Sequence, residues 1–269
     1  MPEGDTIFRV AAALRGYLVG RRIEAARARV PGPRIERVVG AQVTAVESRG
    51  KHLLIHFDNG LVLHSHLRMQ GTWHRYRPGE RWRRPAAQAR VVLAVPDSLV
   101  VCFDAPVMEL LEERAIELHP ALRTLGPDLL GDEFDAEDAL RRLRAPARQG
   151  LSLAEALLDQ RAQAGVGNVY KSEVLFLEHQ HPMRRVRDVD DDTLRRLLAT
   201  AEEQLRANTT TRSRVTTGGR PAPSRTWVYG RAGRPCLRCG ARIEQARIGD
   251  LPRPTFWCPR CQPAPGPAG

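Results

Sequence analysis

Apolar residues recur at helical spacing near the start of the chain. Ile7, Val10, Ala11, Leu14 and Leu18 fall on one face, and Gly20 ends the run. Asp5 or Thr6 is placed to cap such a helix. An amphipathic helix this close to the terminus predicts that the first residues are held, where a chain end otherwise frays. From about Arg22 to Asp104 the period becomes two. Segments 41–46, 53–57, 61–66, 72–76, 91–95 and 99–103 are short, β-branched or alternating, and bounded by turn residues. Asp58-Asn59-Gly60 marks a hairpin. Strands this short and this closely spaced predict a sandwich or barrel.

Past His119-Pro120 the pattern turns helical. Leu125-Gly126-Pro127 reads as a linker, and helices are expected at roughly 135–144, 151–160, 169–179 and 190–207. Residues 209–225, rich in Thr, Arg, Gly and Pro, read as a long mobile loop. Residues 262–269 form a Pro/Gly/Ala tail expected to be disordered. The fold class is α+β.

Composition narrows the partners. The chain has 269 residues, 42% hydrophobic and 27% charged, as in ordinary globular proteins. Its net charge of +11 is not ordinary; it attracts polyanions, with nucleic acid the leading candidate. Of 42 basic residues only Lys51 and Lys171 are lysine, a bias that suggests a GC-rich bacterial genome. No apolar run reaches the roughly 18 residues of a membrane span, and the N-terminus lacks the basic-then-apolar pattern of a signal peptide. A cytoplasmic protein is expected. Five cysteines in that compartment argue for metal or isolated thiols, and Cys102, in an apolar strand, reads as an inert buried thiol.

The remaining four cysteines form the most specific signal. Cys236-x-x-Cys239 and Cys258-x-x-Cys261 flank 18 residues that read as strand, turn, strand. Thiolate ligands make zinc the metal, and four ligands leave no open position, so one structural Zn2+ is expected, closing a β-hairpin too small to fold alone. Arg253 lies near its turn. Between two helical segments, Ala164-Gly165-Val166-Gly167-Asn168 is either an ordinary glycine turn with Asn as cap or a phosphate cradle at a helix N-terminus, with Lys171 one turn inside. The terminus, Met1-Pro2-Glu3, also has two readings. It is a solvated end or, once an aminopeptidase removes Met1, a secondary amine beside a carboxylate. An α-amino group, with a reference pKa near 7.7–8.0, is far more often neutral at pH 7 than a lysine, and so better able to attack an aldehyde carbon.

Taken together these segments resemble the bacterial formamidopyrimidine-DNA glycosylase/endonuclease VIII (Nei) family. The likeness runs nearly the whole length. It is carried by Met1-Pro2-Glu3-Gly4, Arg49-Gly50-Lys51, Ser65-His66-Leu67-Arg68-Met69, Leu125-Gly126-Pro127-Asp128, Asp159-Gln160 with Gly165-Val166-Gly167-Asn168-Val169-Tyr170, Ser172-Glu173-Val174-Leu175, Val228-Tyr229-Gly230-Arg231 and the zinc hairpin. The resemblance implies a catalytic N-terminal β-sandwich with its helix (1–120), a helix–two-turn–helix DNA-binding domain (121–230), a zinc finger (231–262) and a disordered tail (263–269). DNA would lie between the domains of a monomer, in the bacterial cytoplasm and nucleoid.

The same resemblance implies site roles. Pro2 would be the nucleophile at C1′ and Glu3 the general acid. Lys51 would be a catalytic-site lysine on phosphate. Asn168 and Arg253 would clamp phosphates, His66 would lie near the backbone, and Met69 would fill the space of the everted base. Lys171 is expected at DNA only through the cradle reading of the glycine turn. No catalytic cofactor is implied. The activity would be a bifunctional DNA glycosylase and abasic-site lyase of base-excision repair.

Three departures bear on specificity. Phe103-Asp104-Ala105-Pro106-Val107-Met108-Glu109 lacks the Arg and Phe of the formamidopyrimidine-type loop, which implies the Nei branch and oxidised pyrimidines. Thr6 stands where many members have a second Glu, at a place that supports the active site. Gln70 stands where some Nei proteins have an aromatic wedge residue, so open or single-stranded substrates are expected to be favoured. The competing readings are a formamidopyrimidine/8-oxoguanine-type purine enzyme and a damaged-DNA binder with reduced chemistry.

Overall fold

In a computed structural model, described over residues 2–211, 213–218, 224–250 and 252–264, the chain divides into two compact units, Met1–Thr124 and Leu125–Gly269. The first opens with α1 (Gly4–Leu18). Its strands are β1 (Ala25–Ala28), β2 (Val43–Arg49), β3 (His52–Phe57), β4 (Leu61–His66), β5 (Thr72–Tyr76), β6 (Ala89–Val95), β7 (Ser98–Phe103) and β8 (Val107–Glu112). They form two antiparallel sheets, ordered β1-β6-β7-β5 and β2-β3-β4-β8. Strand alternation sends Leu53, Ile55, Phe57, Leu61 and Leu63 to the inner face of one sheet. Val91, Leu93, Val95, Val100 and Cys102 come from the other, and all meet Ile7, Ala11, Leu14 and Leu18 of α1 in one core. Cys102 is fully buried, and burial pushes its thiol pKa well up.

Two strands lie outside the expected set. β1 is Ala-Ala-Arg-Ala and β8 is acid-rich, so neither shows a clean alternation. Their pairing, to β6 and to β4, fixes them instead. The cap of α1 also differs from expectation. Glu3, not Asp5 or Thr6, stands at the N-cap, because the helix already begins at Gly4 and the Glu3 carbonyl accepts from Thr6 and Ile7 N–H.

The second unit holds α2 (Ala136–Arg144), α3 (Leu153–Ala156), α4 (Asn168–Leu177) and α5 (Asp191–Ala207), then the hairpin β9 (Glu244–Ile248) and β10 (Arg253–Trp257). The helix expected over 151–160 shrinks to one turn. A Ser152/Glu155 capping box starts it, and Asp159 and Gln160 then spend their side chains on nearby backbone rather than continuing it. The supposed linker is packed: Gly126 N–H donates to the Gln160 carbonyl, and a Cβ on Gly126 would sit 2.4 Å from the Ala162 carbonyl oxygen.

The expected mobile loop is tied down over its described part. Asn208 is buried and its Oδ1 accepts from Val215 N–H, while Thr216 and Thr217 are buried. Gln262 is not a tail residue either. It is fully buried, donates to the Gln180 carbonyl and accepts from Cys258 N–H. Residues 265–269 lie outside the described residues. Among the described residues no helix is long and apolar enough to cross a membrane.

Candidate functional site

Within the first unit, α1 places the terminus. Gly20 N–H donates to the Val43 carbonyl at 2.9 Å, and Arg15 Nε donates to the Val46 carbonyl at 2.7 Å. The helix therefore runs antiparallel to β2, against which it packs. From Arg15 back to Gly4 is about 16 Å at 1.5 Å per residue. From Val46 on to Lys51 is about the same at 3.3 Å per residue. The head of the helix, with Pro2 and Glu3, thus lies at the end of the sheet where the chain turns through Arg49-Gly50-Lys51. Gly50 has φ 57°, the left-handed region that favours glycine. Glu3 is fully buried at the positive end of the helix dipole, Pro2 is half-buried, and so is Lys51.

At the far end of β4, a tight turn from Leu67 to Gly71 closes with Gly71 N–H donating to the Leu67 carbonyl. A Cβ on Gly71 would lie 2.7 Å from that oxygen, so glycine keeps the turn closed. Met69 projects from it 63% exposed. His66 precedes the turn. Its Nδ1 accepts from Arg68 N–H at 3.2 Å, so the neutral ring carries its proton on Nε2. Burial, then the charges of Arg68 and Lys51, hold its pKa down to about 4.

In the second unit, Asn168 begins α4 and Arg253 begins β10, and the structure brings the two together. Asn168 Nδ2 donates to the Pro254 carbonyl at 2.7 Å, while Arg253 stays exposed. Lys171 departs from its expected role. It is fully buried, and Nζ donates to Asn168 Oδ1 at 2.7 Å, Thr255 Oγ1 at 2.6 Å and the Pro254 carbonyl at 3.2 Å. An ammonium has three hydrogens, so these partners use all of them. Lys171 holds Asn168 and the hairpin and does not face solvent.

The four cysteine sulfurs converge within 4.8 Å of one another, with Cys239–Cys258 at 3.4 Å and Cys236–Cys261 at 3.9 Å. Tetrahedral zinc at about 2.3 Å from sulfur sets ligand separations of about 3.8 Å, so the quartet fits one structural ion. Phe176, Val228, Ile243 and Phe256 pack beside it.

Comparison with known proteins gives these features a context. Residues 1–106 match the formamidopyrimidine-DNA glycosylase N-terminal domain, 125–217 its H2TH domain, and 233–264 the zinc finger found in FPG and IleRS. The chain is 46% identical to "Probable endonuclease 8 2" of Streptomyces coelicolor, over 100% of this chain and 97% of that protein. It belongs to the formamidopyrimidine-DNA glycosylase/endonuclease VIII family. It is also 42% identical to "DNA-(apurinic or apyrimidinic site) lyase Nei2" of Mycolicibacterium smegmatis, over 98% of this chain and 100% of that one. Endonuclease 8 of Escherichia coli shares 33% over 97% and 100%. The fold matches Lactococcus lactis Fpg, crystallised with DNA containing N7-benzyl-Fapy-dG, at a TM-score of 0.81 and 24% identity, covering 98% and 100% of the two chains.

Sequence reasoning missed one polar anchor of this family member. Glu173 is fully buried on α4, and its carboxylate accepts from the N–H groups of Trp227 (2.7 Å), Val228 (2.9 Å) and Tyr229 (2.8 Å) and from the Thr216 hydroxyl. Burial raises its pKa while these donors pull it down. A signal was present: apolar residues of α4 are spread around the helix instead of along one stripe, and such a helix is buried all round, so its charged residues must pair inside.

Proposed function

We propose that this chain is a bifunctional DNA glycosylase and abasic-site lyase of base-excision repair, acting on oxidised bases and favouring pyrimidines. The observation that carries it is the held N-terminus: Pro2 at the head of α1, with Glu3 buried beside it, at the Lys51 end of the sheet. A solvated chain end has no need of that placement. The family and the names of its relatives support the same chemistry.

The steps follow from the groups. Loss of Met1 leaves the Pro2 secondary amine. The target nucleotide leaves the stack, because C1′ is unreachable inside it, and Met69 fills the gap. The Pro2 nitrogen attacks C1′ as the C1′–base bond breaks, and the proton the nitrogen loses passes to the departing base. Glu3 protonates O4′ as the C1′–O4′ bond opens and the nitrogen lone pair forms the iminium. The cation acidifies C2′–H; loss of that proton expels the 3′ phosphate, and a second elimination expels the 5′ phosphate. Water then releases Pro2.

Asn168 and Arg253 hold phosphates, Lys51 and the Nε2–H of His66 meet the backbone near the reacting sugar, and Lys171 serves as a positioning residue for Asn168. The chain works as a monomer in the bacterial cytoplasm. Against the purine-type alternative, Val107–Glu112 is committed to β8, paired along β4, and supplies no Arg or Phe wedge.

The test is borohydride trapping on an abasic-site oligonucleotide, with Met1 removal checked by mass. Wild type should give a covalent adduct mapping to Pro2, and Pro2→Gly and Glu3→Gln should lose most of it. No adduct, with intact binding to the same DNA, would replace the enzyme reading with the binding-protein one. An oxidised-pyrimidine duplex cut more slowly than an 8-oxoguanine duplex would overturn the pyrimidine preference.

A further inference from the structure

The outer face of the β2-β3-β4-β8 sheet carries a concentration of histidines. Of eight in the chain, His52, His56, His64 and His66 project from β3 and β4 on this face, and His119 packs against them from the segment after β8. His64 stands directly opposite Glu109 in the β4–β8 register. Glu109 Oε2 lies 2.9 Å from His64 Nδ1 and 3.1 Å from His119 Nε2. The three donor atoms lie within 4.8 Å of one another.

We propose that His64, Glu109 and His119 form a second metal site, for a divalent first-row transition ion such as Zn2+, separate from the four-cysteine site. Two imidazoles and a carboxylate are a borderline donor set suited to zinc. Nitrogen and oxygen ligands at about 2.0–2.1 Å around a tetrahedral ion stand about 3.3 Å apart, so the pairs at 2.9 and 3.1 Å need open by only a few tenths of an ångström.

The surroundings match as well. His64 Nε2 is 2.8 Å from His52 Nδ1, so the ring has the outer partner that orients a metal-bound imidazole. With the ion on Nδ1, His64 donates from Nε2 to His52. Glu109 is 43% exposed while His64 is 1% exposed, which leaves an approach for the ion, and a water as fourth ligand, from the carboxylate side. The ion would join β4, β8 and the closing segment of the first unit.

Metal content tests this without reference to activity. The purified full-length protein, its cysteine site loaded, is equilibrated with excess Zn2+, gel-filtered and analysed by mass spectrometry for zinc per chain. Wild type should carry two equivalents, and Glu109→Gln and His119→Gln one each. Cobalt separates the sites: the thiolate site gives intense sulfur-to-metal charge-transfer bands, and this one only weak visible bands, absent in both variants. One zinc in wild type, or two in both variants, overturns the proposal. Because the wild-type count is independent of the variants, a variant that misfolds leaves the test intact.

Discussion

Lys171 separates two ways of serving a phosphate. Replacing it with Met keeps the stem packed and removes only the ammonium. The Pro254 carbonyl still accepts from Asn168 Nδ2 at 2.7 Å, and Thr255 Oγ1 still donates to the Arg253 carbonyl at 3.2 Å. Asn168 Oδ1 loses a charged donor at 2.7 Å. A hydrogen bond to a charged group is worth about 1.5–3 kcal/mol, and a fully buried acceptor is left behind, so Lys171→Met should cost about 2–3 kcal/mol of stability in urea unfolding. With Asn168 loosened, affinity for a duplex holding an abasic-site analogue should fall about tenfold, or about 1.4 kcal/mol.

The decisive quantity is salt dependence, followed by fluorescence anisotropy between about 50 and 200 mM salt. Removing a cation that touches phosphate lowers the log–log slope by about 0.9; removing one that only positions a neutral Asn leaves it unchanged. Arg253→Ala supplies the comparison, with the full slope change expected. A Lys171→Met slope reduced as much as that of Arg253→Ala, or a stability loss under about 0.5 kcal/mol, would refute the buried-anchor reading.

Chelation of zinc, or Cys258→Ser, should unfold the hairpin and disperse the Phe176–Phe256 cluster; the fluorescence of Trp227 and Trp257 reports it. Met69→Ala, at a 63% exposed position, should change stability by less than about 0.5 kcal/mol yet slow excision from duplex DNA about tenfold, measured by single-turnover kinetics. Gly71→Ala puts a Cβ 2.7 Å from the Leu67 oxygen and 3.1 Å from Ala105 Cα, and should cost about 1–3 kcal/mol in thermal unfolding as well as slowing excision. His56, with Glu47 and Glu113 at 3.4 Å each, has its pKa raised above 6.5, chiefly by the Glu47 carboxylate beside it. Its contribution is present below pH 6.5 and lost as pH rises through the folded value, so the stability gap between wild type and His56→Gln should shrink from pH 6 to pH 8.5.

What was legible in the sequence is what is written locally. Six strands show as alternation, α1 as a 3.6-residue period, and the zinc quartet as spacing between cysteines. β1 and β8 do not show, because Ala-rich and acid-rich segments gain their conformation from neighbours paired across the sheet. The described part of the 209–225 segment reads as unanchored because its anchor is remote: Thr216 is held by Glu173, 43 positions away. The burial of Lys171 is hidden from the sequence for the same reason. A cation near a glycine turn fits phosphate by composition, and only three-dimensional packing shows its hydrogens already taken.

These buried polar groups have a common destination. Lys171 grips Pro254 and Thr255 on the outgoing strand of the hairpin. Glu173, half a turn on, gathers the backbone of Trp227 to Tyr229, just before the first cysteine pair. Gln262, the residue after the last cysteine, reaches Gln180 beyond the end of α4. The finger is therefore tied to α4 at several points, while zinc closes the hairpin itself. A hairpin closed by metal alone would be free to swing, and Arg253 would swing with it. The proposed phosphate clamp of Asn168 and Arg253 would need the two fixed to within about 0.5 Å. The placement of Lys171 and Glu173 inside a buried helix, costly if either were unpaired, holds the hairpin to that helix.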